Sequence, residues 1–202
     1  IKGKERNLIV DTAFNMPECL MAFELGLTVL GVDMRNTDIF LTHLHSDHTG
    51  LAASIASPES RVFISREDRV RLENFMEKEY WEQVYDVYKS YGFSEKELEE
   101  ISVSNPASIY MPKIKIKYCD VENGHIIDLG GRKLTCISTP GHTPGHMCLY
   151  DEANGILFCG DLMLFDITPN ITSWSNFDNP LAQYLNSLNK IKDLDIKTVT
   201  DI

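Results

Sequence analysis

Thr42-His-Leu-His-Ser-Asp-His48 puts three imidazoles and a carboxylate within six positions, and three of the chain's six histidines stand there. The run follows an apolar, strand-like Ile39-Phe-Leu-Thr42 and precedes a helical pattern over Thr49-Gly-Leu-Ala-Ala-Ser-Ile-Ala56. Strand, polar cluster and helix in that order point to a layered α/β fold with its site at a strand end. In extended backbone, residues two apart point to one side, so the spacing predicts that His43 and His45 grip one metal ion. Asp47 and His48, one turn on, then face a second. A polar loop with incidental histidines is a poor account of so dense a cluster.

Working outward, Asn7-Leu-Ile-Val-Asp11 reads as a short strand, and a helix begins at Asn15-Met-Pro-Glu18, where Pro17 loses no hydrogen bond, and runs to about Leu30. After a strand Arg61–Ile64, residues from about 66 to 104 are expected to be helical. Leu72, Phe75, Met76, Trp81, Val84, Tyr85 and Tyr88 recur there at three- and four-residue intervals, and Ser94-Glu-Lys-Glu97 is a capping box. From 113 onward the period changes to two. Ile114/Ile116/Tyr118, Lys133–Ser138, Met147–Tyr150 and Ile156–Cys159 read as antiparallel strands, the last two joined by an Asn154-Gly155 turn. Pro180–Leu194 is an amphipathic helix and Lys197–Thr200 a last strand.

The 202 residues suit one domain. No apolar run approaches the roughly 18 residues of a membrane span, which excludes a transmembrane role for this stretch. With 19 basic against 30 acidic side chains and a net charge of -11, the chain would be repelled by a phosphate backbone, so nucleic acid is not an expected partner. Cys19, Cys119, Cys136, Cys148 and Cys159 are odd in number, lack C-x-x-C spacing and read as reduced thiols of a cytoplasmic protein. The start has no basic segment followed by an apolar one, which argues against secretion.

Two further motifs follow strands. Thr139-Pro-Gly-His-Thr-Pro-Gly-His146 is a rigid turn that can fix an imidazole, and Ile156-Leu-Phe-Cys-Gly-Asp161 ends in a carboxylate. Each is weak alone. In the order H-x-H-x-D-H, Pro-Gly-His, Gly-Asp, they resemble the metallo-β-lactamase superfamily across nearly the whole chain, and its glyoxalase II-like hydrolases more than its true β-lactamases. The resemblance implies an αββα sandwich of mixed sheets, here with a helical insertion at 66 to 104. It implies that His43, His45 and His142 hold one ion, that Asp47 and His48 hold another, and that Asp161 bridges them. Zinc is expected, with iron or manganese as alternatives.

Two ions balanced by Asp47, Asp161 and a bridging hydroxide leave a site near +1, suited to polarising an acyl carbonyl. The expected reaction is hydrolysis of an ester, thioester or lactone, the nucleophile a hydroxide on the metal, with Asp47 orienting the hydroxide and accepting its proton. A mononuclear iron, persulfide dioxygenase-like enzyme using His45, His142 and Asp161 is the alternative, and a non-catalytic protein of the same fold is a third reading. His146 is expected to hydrogen-bond near the site rather than bind metal, and His125 to face solvent. Both ends read as cut. The resemblance implies about two more strands before Leu8 and a further histidine after Lys197–Thr200, in place of which Asp201 is a weak substitute. The aromatic stripe Phe75, Tyr80, Trp81, Tyr85, Tyr88 and Tyr91 is by default a packed helix face. It also suits a lid or a homo-dimer contact, and Trp174 and Phe177 would wall the same pocket around a small acyl substrate.

Overall fold

A computed structural model describes residues 1–201. Among these residues, nine strands form two sheets. β1 (Asn7–Val10), β2 (Thr37–Phe40), β3 (Val62–Ser65) and β4 (Tyr118–Val121) lie in that order and are parallel throughout. β5 (Ile126–Asp128), β6 (Lys133–Ser138), β7 (Met147–Asp151) and β8 (Ile156–Phe158) are antiparallel, and β9 (Thr198–Thr200) adds to β8 in parallel. The helices are α1 (Pro17–Leu30), α2 (Ser46–Thr49), α3 (Ala52–Ile55), α4 (Arg66–Phe75), α5 (Lys78–Ser90), α6 (Glu95–Ser104), α7 (Pro106–Ile109) and α8 (Pro180–Ile191).

The two-residue period of the strands sorts their side chains into three apolar layers. Leu8, Phe40, Phe63 and Val121 from the first sheet meet Ile127, Leu134, Cys136, Met147 and Leu149 from the second. The alternate residues Ile39, Leu41, Val62 and Ile64 face outward against Leu51, Ala52, Ile55, Leu72 and Phe75 of the helices. Cys148, Tyr150, Leu157 and Cys159 of the second sheet's outer face meet Tyr184, Leu188 and Ile191 of α8. Helix, sheet, sheet and helix are thus stacked, as the family resemblance implies. At the first sheet's end, Asp38, with a fully buried side chain, takes a bidentate pair from Arg6, and Arg61 donates twice to its Oδ2. These guanidinium groups hold its carboxyl below the usual range despite burial.

The structure corrects three local expectations. Tyr118–Val121 belongs to the parallel sheet, in register with β3, rather than to the antiparallel half, because residues 66–111 carry the chain across as a parallel crossover. β9, whose direction the sequence leaves open, is parallel to β8 and is reached through α8. The helix expected from Thr49 to Ala56 is two short turns, because the Leu51 amide donates to Ala13 O at 3.0 Å instead of continuing the ladder. Gly50 sits so close to Asn15 N that a Cβ there would collide with it. The 66–104 segment is three helices, with the capping box present at Ser94 and Glu97.

Candidate metal centre

The loops that leave β2, β6 and β8 meet at one edge of the sandwich. Beyond β2 the chain runs through Leu41 and Thr42, whose carbonyl accepts from Met147 N at 2.9 Å. That bond ties the first sheet to β7 and sets the 43–48 loop beside the 139–146 loop. His43 Nε2 lies 3.0 Å from His45 Nδ1, and His142 Nε2 2.9 Å from the same atom. Asp161, on the single turn Gly160–Leu162 after β8, brings Oδ2 to 3.2 Å from His142 Nε2 and 3.8 Å from His43 Nε2. Ligand atoms of these four residues all lie within 4.8 Å of one another.

The protons around this cluster point outward. Asn170 O can only accept, so His142 Nδ1, 2.7 Å away, carries the hydrogen and Nε2 keeps its lone pair. The Thr42 hydroxyl donates to Asp11 Oδ2 at 2.7 Å and accepts from His43 Nδ1 at 3.0 Å, which leaves His43 Nε2 bare. Burial pushes His43 well below its ordinary pKa, and burial with the neighbouring His142 and His48 pushes His45 down to about 3. His43 Nε2, His45 Nδ1 and His142 Nε2 thus converge on one point beside a carboxylate. Ligands about 2.0–2.1 Å from a tetrahedral ion stand roughly 3.3 Å apart, and the observed separations bracket that value, so the donor set fits a divalent metal.

His48 stands next to the four. Its Nδ1 bonds Asp11 Oδ2 at 2.8 Å, and its Nε2 lies 3.2 Å from Asp161 Oδ1 and 3.7 Å from Asp47 Oδ2. Burial opposes its charge, but Asp11 and Asp161 override this and raise its pKa to about 10. The space facing Asp47 and Asp161 is therefore one in which positive charge is favoured, and Asp47, half exposed, forms its mouth. The imidazoles of His142 and His48 beside it hold Asp161 ionised against its burial. Asp201 is not among the four clustered residues.

His146 is fully buried and bonds Thr139 Oγ1 through Nδ1 at 2.9 Å. Burial pushes its pKa down to about 3, and among the described residues its Nε2 has no partner. It lies outside the cluster, and His125 is exposed.

Two positioning residues escaped the sequence reading. Asp11, with a φ of 56°, turns at the end of β1 and accepts from Thr42 N at 2.7 Å, from the Thr42 hydroxyl and from His48. The available signal was a carboxylate at the carboxyl end of an apolar strand, the same signal that marked Asp161. Asp68, in the first turn of α4 and fully buried, accepts from Leu44 N at 3.0 Å, Thr143 Oγ1 at 2.6 Å and Gly145 N at 2.7 Å. It clamps the 43–48 loop to the 139–146 loop. A Cβ at Gly145 would strike Ser65 Oγ and Asp68, so this approach requires glycine. Burial pushes the Asp68 carboxyl up to about 6, countered in part by those three donors.

Two hollows differ in their relation to the cluster. The larger, about 760 Å³, lies between α1 and the edge strands β1 and β9 and includes no ligand residue. The other, about 380 Å³, opens from His45 and is walled by α4, α5 and the 172–175 loop. The second is the one the chemistry can use, and Trp174 contributes to it, as expected; Phe177 is not part of its lining.

A mixed αββα sandwich with histidines and aspartates gathered at one edge defines a class of metal-binding α/β proteins. The family model for the metallo-beta-lactamase superfamily matches residues 1–199, and the chain belongs to that superfamily. It is 23% identical over 202 residues to an acyl-coenzyme A thioesterase, MBLAC2, of Gallus gallus, covering 96% of this chain and 65% of that protein. A hydroxyacylglutathione hydrolase of Maricaulis maris is 27% identical over 140 residues, covering 62% of this chain and 51% of that protein. A metallo-beta-lactamase family protein from Thermus thermophilus superposes with a TM-score of 0.82 at 28% identity, over 100% of this chain and 66% of that one. The chain thus spans about half to two thirds of these relatives. Among the described residues no helix is long and apolar enough to cross a membrane.

Proposed function

We propose that the chain is a metal-dependent hydrolase of small acyl substrates, cleaving a thioester, ester or lactone carbonyl. The observation that carries this reading is the convergence of three imidazole nitrogens and Asp161 on one point, beside a pocket that opens from His45. The relatives named as an acyl-coenzyme A thioesterase and a hydroxyacylglutathione hydrolase support the acyl class. When bound, divalent ions, zinc in this reading, supply Lewis acidity and lower the pKa of coordinated water toward neutrality.

His43, His45, His142 and Asp161 would hold the first ion, and Asp47, His48 and the shared Asp161 the second. Asp47, at the mouth, orients the attacking water and takes its proton. Thr42 and Asn170 keep His43 and His142 in the tautomers that present Nε2, and Asp11 does the same for His48 by holding Nδ1–H. The second position has two residues of its own against three at the first, so it binds more weakly. The five free cysteines suit a reducing, cytoplasmic setting.

The zinc-loaded chain is assayed with acyl thioesters, lactones and aryl esters. Turnover that disappears in His45→Ala is the expected result, and no turnover above that variant contradicts the proposal. One bound iron with oxygen uptake would assign the site to a mononuclear oxygenase instead.

A further inference from the structure

The hollow that opens from His45 is built differently from the centre it adjoins. Its far walls are Phe75, Trp81, Val84 and Tyr88, and its mouth is Trp174 beside His45. Asn105, Thr172, Ser173 and Ser175 add polar but uncharged groups, and among the described residues no acid, lysine or arginine lines it. Both indole N–H groups are already used. Trp81 Nε1 donates to Phe75 O at 2.8 Å and Trp174 Nε1 to His142 O at 3.0 Å. Each ring is thereby fixed, with its polar tip satisfied and carbon faces left for a ligand. Phe75 lies 5.1 Å from Tyr80 and 5.7 Å from Trp81, centroid to centroid, so the aromatic wall is a packed, preformed surface.

Trp174 makes the pocket continuous with the chemistry. It is anchored on the backbone of His142, and its ring stands 6.0 Å from that of His45. A group seated between Trp81 and Trp174 therefore leads directly to the atoms that converge on the metal position. The lining itself offers a charged leaving group no cationic side chain, Arg71 being engaged with Ser175 O at 3.1 Å, so such a group would lose hydration on entering it. An uncharged hydrocarbon gains by every methylene buried.

We infer that this pocket is the acyl-chain subsite, and that it selects a linear aliphatic or aryl-alkyl acyl group larger than a single six-carbon ring. The size follows from volume. A cavity of about 150 Å³ accepts one benzene ring, and this one has about 380 Å³. The inference rests on the hydrolase reading only for which end of the substrate faces the metal.

The test separates the two. The chain has two tryptophans and both line the pocket, so intrinsic emission reports occupancy without any turnover. Straight-chain methyl ketones of four to twelve carbons carry an acyl chain and its carbonyl but no leaving group. Titrated into the chain, they are expected to shift tryptophan emission saturably, with affinity rising about three- to fourfold per methylene until the pocket is full. Val84→Glu should remove that dependence, and Val84→Phe should shorten the longest chain accommodated, each variant being checked for fold by circular dichroism. Absence of a shift with every ketone overturns the inference, as does affinity independent of chain length. Emission that changes with protein concentration alone, in step with a dimer seen in sedimentation, gives this face to a second copy and also overturns it. Ketone binding with the expected slope but no thioester turnover upholds the pocket and refutes the hydrolase.

Discussion

Asp11 shows how one side chain controls the reactivity of others. Its carboxylate fixes the Thr42 amide, the Thr42 hydroxyl and His48 Nδ1, and through Thr42 it reaches His43. An amide in its place offers an N–H₂ where one acceptor oxygen is needed. Asp11→Asn is therefore expected to weaken the weaker zinc equivalent by about 10- to 100-fold, the range for losing a hydrogen bond that orients a ligand. Competition with a chelator measures it, and an unchanged affinity would reject the role. The candidate ligands could be picked from the sequence because His43, His45, Asp47 and His48 crowd six positions, and because His142 and Asp161 follow in a recognisable order. Asp11 could not. Its partners stand 31 and 37 positions away, and a strand ending in aspartate reads as an ordinary turn.

At the scale of elements, α4 does more than begin the insertion. Ser65 caps it by accepting from Asp68 N, and Asp68 then reaches Leu44, Thr143 and Gly145. The helix thereby holds two ligand loops together. Asp68→Asn leaves a buried donor without an acceptor and is expected to destabilise the fold by about 1–3 kcal/mol near neutral pH. The pH dependence has a definite sign. With a native pKa of about 6 above the roughly 3.9 of an unfolded aspartate, the native state binds the proton more tightly. The contribution of the titrating group is full below about pH 4 and is lost as pH rises through 6, a change of about 3 kcal/mol. Urea unfolding of both proteins from pH 4 to 7 should show wild type losing that much relative to Asp68→Asn. A constant difference would contradict it. The period-two pattern located strand Tyr118–Val121 only near its true place and assigned it to the wrong sheet. Alternation reports which face is apolar, and that is the same in both sheets.

For the whole molecule, the layering places three of the five cysteines in apolar surroundings. Burial pushes Cys136 and Cys148 up to about 12 and Cys159 to about 11, so all three are neutral thiols at ordinary pH and poor nucleophiles. Iodoacetamide at pH 8 should modify the half-buried Cys19 and Cys119 in the native chain and all five after denaturation. Rapid native labelling of Cys148 would show that α8 does not seal the second sheet. The same layering brings three loops to one edge, and the claim that this edge is a metal centre is tested most directly by calorimetric titration of the metal-free chain with zinc. One tight equivalent that disappears in His45→Ala, followed by a weaker one, is the predicted result. A chain that takes up no zinc tightly, or that binds it equally well without His45, would contradict the account.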